Sequence, residues 1–106
     1  MNTKTKIKKD EIKSGEARSY QLAESKIVVC NVNGEYFAVD DVCSHDDGEL
    51  VSANGKLVDV CQLECPRHGA RFDVKTGRAT RMPAVAPIKT YNVKVLEEEL
   101  EIELMG

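Results

Sequence analysis

The chain has 106 residues, enough for one hydrophobic core but not for a second, so we expect one domain over residues 1–106. Its net charge of −3, from 15 Lys and Arg against 18 Asp and Glu, argues against a nucleic-acid-binding surface. There is no apolar run near the ~18 residues of a membrane span and no apolar stretch typical of a secretory signal. We therefore expect a cytoplasmic protein without a membrane partner.

The first elements in chain order are a helical turn and a β-hairpin. Residues 10–15 can form one helical turn that ends at a glycine. Residues 27–32 and 35–41 are rich in β-branched and aromatic side chains, which favour strands. They are joined by Asn33-Gly34, a pair that suits the two positive φ angles of a type I′ turn. The sequence thus predicts a hairpin that leads into residue 42.

The remaining elements are also predicted to be strands. Asn54-Gly55 opens a strand over residues 56–61, and Thr76-Gly77 turns a short hairpin farther on. Residues 91–95 and 100–104 alternate apolar and polar side chains, a period of two that favours strands over a helix. The fold class indicated is all-β.

Both histidines of the chain lie within three residues of a cysteine. The first segment reads Cys43-Ser44-His45, and after 19 intervening residues the second reads Cys65-Pro66-Arg67-His68-Gly69. Two Cys and two His suit a soft-to-borderline metal such as iron or zinc. Zinc fingers usually offer two neighbouring cysteines and then two neighbouring histidines, whereas each segment here provides one of each.

This pattern resembles the Rieske iron–sulfur signature, and specifically the small Rieske-type ferredoxins. The similarity extends beyond the ligands to residues 34–40 before the first segment and 68–73 at the second. It continues in Thr76-Gly77 and residues 83–87, so it covers nearly the whole chain from about residue 27 onward. It implies an antiparallel β-sandwich with two ligand-bearing loops at one end.

The resemblance also implies a cofactor, one Rieske-type 2Fe-2S cluster. Cys43 and Cys65 would hold the buried iron, while His45 and His68 would hold the iron nearer solvent. Because imidazoles are neutral, the oxidised cluster would be formally uncharged. It would then accept an electron more readily than a cluster held by four thiolates.

The function implied is one-electron transfer by a monomeric carrier. No acid–base pair, nucleophile constellation or phosphate loop indicates an enzyme, and the resemblance commits both histidines to the metal. The partners implied are a flavin-containing ferredoxin reductase and a terminal oxygenase. They are expected to dock on the surface around His45 and His68.

A low reduction potential is expected within the Rieske range. In high-potential members of the family, hydroxyl-bearing residues that donate to a cluster sulfur occupy the positions of Ala70 and Phe72, which have no hydroxyl. Those members also carry a further cysteine in each ligand loop, and the pair forms a bracing disulfide. Neither loop of this chain has one.

Two cysteines remain outside these segments. Cys30 and Cys61 both fall in predicted strands, where an unpaired cysteine usually acts as a small buried hydrophobe. A disulfide or an additional metal ligand is the alternative.

Charges are divided between the two ligand segments. Acidic residues surround the first, and four of the five arginines lie in or after the second: Asp40, Asp41, Asp46, Asp47 and Glu49 against Arg67, Arg71, Arg78 and Arg81. They form either ordinary solvated surface or a dipolar tip, meaning an end of the molecule with an acidic and a basic side that orients a partner.

Two other interpretations stay open. A small structural zinc-binding module would use the same Cys43, His45, Cys65 and His68. The second is a Rieske-like reductase subunit that has lost its cluster. Such a subunit would lack some of the ligands, whereas all four are present here.

Overall fold

The described part of the chain is built from ten strands and one short 3-10 helix. The computed structural model describes residues 3–22, 24–44, 46, 48–51 and 54–105, and there is no α-helix among them. The strands are β1 Thr3–Lys8, β2 Glu16–Leu22, β3 Ser25–Val32, β4 Glu35–Asp40, β5 Asn54–Lys56, β6 Gln62–Glu64, β7 Arg71–Asp73, β8 Ala79–Arg81, β9 Thr90–Val95 and β10 Glu99–Met105. None of the helices in these ranges is long and apolar enough to cross a bilayer.

The strands form two antiparallel sheets. Seven strands pair in the order β1-β10-β9-β4-β3-β2-β5, and three pair in the order β6-β7-β8. The large sheet is curled, so that β3 is buried on both faces. Its Val28 and Cys30 belong to the core shared with the small sheet, whereas Ile27 and Val29 belong to a second core with β10. The prediction of an all-β antiparallel fold is confirmed.

The two hairpin turns predicted at Asn33-Gly34 and Thr76-Gly77 are confirmed. Asn33 and Gly34 have φ angles of 52° and 91° and join β3 to β4, as a type I′ turn requires. Gly77, with φ of 80°, lies between β7 and β8. The two predicted C-terminal strands are β9 and β10, which pair as a hairpin closed by a hydrogen bond from Leu96 N–H to Glu99 C=O of 2.8 Å.

The predicted strand over residues 56–61 is wrong. β5 ends at Lys56, and Asp59 and Val60 have positive φ angles of 45° and 74°, which strands do not allow. The turn is closed by the hydrogen bond from Cys61 N–H to Asp59 C=O, 2.8 Å long. Cys61 therefore lies in a turn, half-buried against the core, and not in a strand.

The N-terminal prediction was also incomplete. The helical turn lies at Lys9–Glu11, slightly earlier than predicted, and two strands flank it. β1 alternates Thr and Lys with Ile7 as its one buried apolar residue, so its apolar pattern is too weak to indicate a strand. It forms through backbone pairing with β10 at the edge of the large sheet.

Candidate metal centre

The two cysteine-bearing segments are loops closed in the same way. Cys43 follows β4 and donates its N–H to the carbonyl of Gly48 at 2.7 Å. Cys65 lies between β6 and β7 and donates its N–H to the carbonyl of Ala70, also at 2.7 Å. Each loop thus returns to the N–H of its cysteine five residues later. In the second loop Gly69 has φ of 75°, a conformation that favours glycine.

The two thiols are brought together inside the core. Cys43 and Cys65 are 0% and 1% exposed. Their Sγ atoms and one carboxylate oxygen of Asp46 all lie within 4.8 Å of one another. Two sulfurs bound to one metal ion, each at about 2.3 Å, lie at most about 4.6 Å apart. Two thiolates that share one ion would therefore need little or no movement from this spacing.

The histidine of the second loop lies on the solvent side of the thiols. The His68 side chain is 50% exposed, and its Nε2 is 3.7 Å from Oδ2 of Asp46. His45, the other predicted ligand, lies outside the described residues. The structure therefore describes three of the four predicted ligands, and it brings the two sulfurs together but does not bring the His68 imidazole into the same group.

A carboxylate that the sequence analysis assigned to the surface organises the first loop from within. Asp41 is 5% exposed. Its Oδ1 accepts the N–H groups of Leu50 and Val51, each at 2.8 Å, and its Oδ2 accepts the hydroxyl of Ser19 at 2.9 Å. The loop is therefore tied at both ends to one buried carboxylate. No local sequence pattern indicates these partners.

The segment after β8 contacts the first ligand loop. The Ser44 hydroxyl donates to the carbonyl of Ala86 at 2.6 Å, which places the segment directly beside Cys43. Two large apolar side chains nearby face solvent: Met82 is 75% exposed and Val85 is 82% exposed.

Ion pairs join acidic and basic residues of the two ligand segments. Arg67 pairs with Asp46 at 2.6 Å, which crosses from one loop to the other. The hydrogen bonds from the guanidinium hold the pKa of Asp46 well below its usual range. Arg71 pairs with Asp59 and Glu64.

The other described acidic residues near the first ligand loop also have partners within the protein. Glu49 pairs with Lys26, Asp40 accepts the Tyr91 hydroxyl, and Asp41 is internal. Asp47 lies outside the described residues. Of the four arginines, Arg78 and Arg81 are exposed and make no ion pair within the described ranges.

The two remaining cysteines are unpaired. Cys30 is fully buried in β3, and burial raises the pKa of its thiol far above the usual value, so the thiol stays neutral. The interpretation of Cys30 as a small buried hydrophobe is confirmed. Cys61 packs against the same core from its turn.

Comparison with known proteins decides between the metal families. Residues 3–92 match the Rieske [2Fe-2S] domain. The chain belongs to the Rieske family. Its predicted cofactor, a Rieske-type 2Fe-2S cluster, is confirmed at the level of the family, and the paired buried thiols with a solvent-side imidazole fit such a cluster.

Individual Rieske proteins are similar over most of their length. The ferredoxin component of biphenyl 2,3-dioxygenase from Rhodococcus jostii (strain RHA1) is 40% identical over 92 residues, 87% of this chain and 83% of that protein. The Sphingomonas yanoikuyae B1 ferredoxin has a TM-score of 0.83 and 33% identity, covering 97% of this chain and all of that one.

A chain in the complex of reduced oxygenase and oxidized ferredoxin in carbazole 1,9a-dioxygenase has a TM-score of 0.77 and 27% identity, covering 92% of this chain and 91% of that one. The curated relatives at about 40% identity are named as ferredoxin components of dioxygenase systems. The prediction that this chain is an electron carrier and not an enzyme is therefore confirmed.

Proposed function

We propose that this protein carries single electrons from a flavin-containing reductase to a terminal oxygenase, through a 2Fe-2S cluster held by Cys43, His45, Cys65 and His68. The observation that carries the proposal is the meeting of two buried thiols from separate loops, with His68 on their solvent side. When bound, the cluster supplies a one-electron redox centre. The protein supplies the ligands, the dry core beneath them and an exposed imidazole edge.

The ligand assignment can be tested by colour and metal content. We expect the purified protein to be brown, with iron and sulfide in equal amounts and visible bands that bleach on reduction. Cys65→Ala should abolish those bands, because one iron loses a thiolate. Cys30→Ala is the matched control, a fully buried cysteine in the same core that should keep them. Colourless wild-type protein with stoichiometric zinc would support the structural zinc module instead.

The proposed acceptor is a terminal oxygenase that docks at the end of the molecule where the ligand loops lie. The carbazole 1,9a-dioxygenase complex, which contains a similar chain, supports this choice. Here the segment that contacts the first ligand loop through Ala86 also carries the exposed Met82 and Val85. Arg81 ends β8 just before this segment, and Arg78 precedes β8. Weak electron-transfer contacts are small and depend on such rim charges.

The docking face can be tested by charge reversal. Changing Arg78 and Arg81 to Glu should slow electron delivery to the oxygenase and weaken its dependence on salt. Arg71→Gln, which removes an arginine already held by two carboxylates of this protein, is expected to have a smaller effect. Equal rates for the wild type and the Arg78/Arg81 variant at low salt would exclude this face.

A low reduction potential is part of the proposal. Ala70 and Phe72, which lack hydroxyl groups, are both fully buried in the same core as the two ligand cysteines. The side chains at these positions therefore offer no hydroxyl donor to stabilise the extra negative charge of a reduced cluster. Protein-film voltammetry should give a value near the lower end of the Rieske range of roughly −150 to +300 mV. A value near the upper end would contradict the argument.

The monomeric state and the cytoplasmic location remain predictions. Lysines at alternate positions of β1, Lys4, Lys6 and Lys8, oppose edge-to-edge pairing of two copies, which supports a monomer. Analytical ultracentrifugation of the cluster-loaded protein tests the first prediction, and cell fractionation tests the second.

A further inference from the structure

One side chain crosses from the second ligand loop to the first. Arg67, beside His68, directs its guanidinium at Asp46, with Nε 2.6 Å from Oδ2 and NH2 2.9 Å from Oδ1. Its third nitrogen, NH1, donates to the carbonyl of Glu49 at 2.8 Å. All three guanidinium nitrogens are therefore used, and every acceptor lies in the loop that carries Cys43.

The first loop is shaped to receive this guanidinium. A Cβ atom on Gly48 would lie 2.6 Å from both Cζ and NH2 of Arg67, so any other residue here would push the guanidinium out of this position. The φ angle of Gly48 lies outside the left-handed region, so the backbone does not call for glycine here. Glycine instead leaves the space that the guanidinium occupies. The same residue accepts the N–H of Cys43 through its carbonyl, and its own N–H donates to Asp46 Oδ1 at 2.9 Å.

The contact is at the surface, where an isolated ion pair contributes little to global stability. Its geometry is specific, however, because a planar guanidinium can bind a carboxylate through two parallel hydrogen bonds and a lysine cannot. Outer partners of this kind orient the residues that hold a metal. The contact is thus suited to fixing the distance between the loops more than to holding the fold together.

We propose that Arg67 is a positioning residue that joins the two ligand loops to each other across the metal centre, and that Gly48 leaves the space its guanidinium occupies. The inference rests on the proposed function for the identity of the metal group. It makes the link between the loops ionic, and therefore sensitive to salt, at a place where no disulfide joins the described cysteines.

The test measures how fast the cluster-loaded protein loses its visible absorbance in the presence of a chelator. Arg67→Leu and Gly48→Ala should each speed the loss about 10-fold. The double variant should be no faster than either single one, because both remove the same contact. Arg67→Lys should not restore the wild-type rate. High salt should accelerate the loss in the wild type and leave Arg67→Leu nearly unchanged.

The control is Arg71→Leu, which also removes an arginine that binds two acceptors, but one that joins β7 to β6 and to the 58–61 turn and not the two ligand loops. It should keep the wild-type rate. The electron paramagnetic resonance spectrum of the reduced protein gives a second readout, expected to broaden or shift in the Arg67 and Gly48 variants while the far-ultraviolet circular dichroism stays the same.

Several outcomes would overturn the inference. Wild-type loss rates and spectra in Arg67→Leu would show that the link does not position the ligands. Additive effects in the double variant would show that Gly48 acts independently of Arg67. If the wild type instead carries zinc, the proposed function fails, and release of zinc to the chelator then replaces absorbance as the measure. The same order of zinc-release rates among the variants would support the link between the loops, and equal release rates in the wild type and Arg67→Leu would refute it.

Discussion

Removal of the Asp41 carboxylate should loosen the first ligand loop. In Asp41→Ala the buried N–H groups of Leu50 and Val51 lose their acceptor, and Ser19 loses one partner. Hydrogen bonds to a charged group contribute about 1.5–3 kcal/mol each, and a buried donor left unpaired costs about 1–3 kcal/mol. We expect the free energy of unfolding to fall by about 3–5 kcal/mol, a large part of the roughly 5–15 kcal/mol typical of a domain.

Thermal unfolding followed by circular dichroism can measure this loss. For a domain of this size, about 1 kcal/mol corresponds to roughly 4–8 °C, so Asp41→Ala should unfold at least ~12 °C below the wild type. Asp41→Asn keeps an acceptor for both N–H groups and should lose only about 1–2 kcal/mol. Ser19→Ala, which removes a single partner, is the control. If Asp41→Ala unfolds no earlier than Ser19→Ala, the carboxylate does not hold the loop.

Three further substitutions test the backbone and the pH dependence. Gly77→Ala should destabilise the protein by more than Gly34→Ala, since both have positive φ but only at Gly77 would a Cβ collide with a backbone carbonyl; equal unfolding temperatures would contradict this. Val60→Gly should raise the unfolding temperature slightly, because a β-branched residue is strained at φ of 74°; a lower temperature would argue against strain. Burial and the hydrogen bond to Asp40 raise the pKa of Tyr91 to about 12. Stability should therefore decline as pH rises above about 10, the usual tyrosine pKa, and decline less in Tyr91→Phe when unfolding temperatures are compared at pH 9 and 11.

The sequence was sufficient for features that depend on neighbouring residues. The type I′ turn at Asn33-Gly34 follows from two residues that tolerate positive φ. The pairing of Cys43 with Cys65 followed from a spacing typical of one family, and the structure brings the two sulfurs together. In each case the decisive information lies within a few residues along the chain or in a known family pattern.

The sequence was insufficient where a side chain chooses a partner far along the chain. Asp41 looked like one of several surface acids, and only the fold brings it within hydrogen-bonding distance of Leu50, Val51 and Ser19. Residues 56–61 have a strand-like composition, yet they turn at Asp59, whose carboxylate binds Arg71. Composition does not reveal such long-range partners.

The two-sided burial of β3 makes the Asn33-Gly34 turn a determinant of the metal centre. Because successive side chains of β3 enter different cores, a slip of one residue against β4 would exchange the two sets. Cys43 lies only three residues beyond the end of β4, so the same slip would move its sulfur by about 3.3 Å, the rise of one strand residue. A two-residue turn at the opposite end of the hairpin thus sets how closely the two thiols approach.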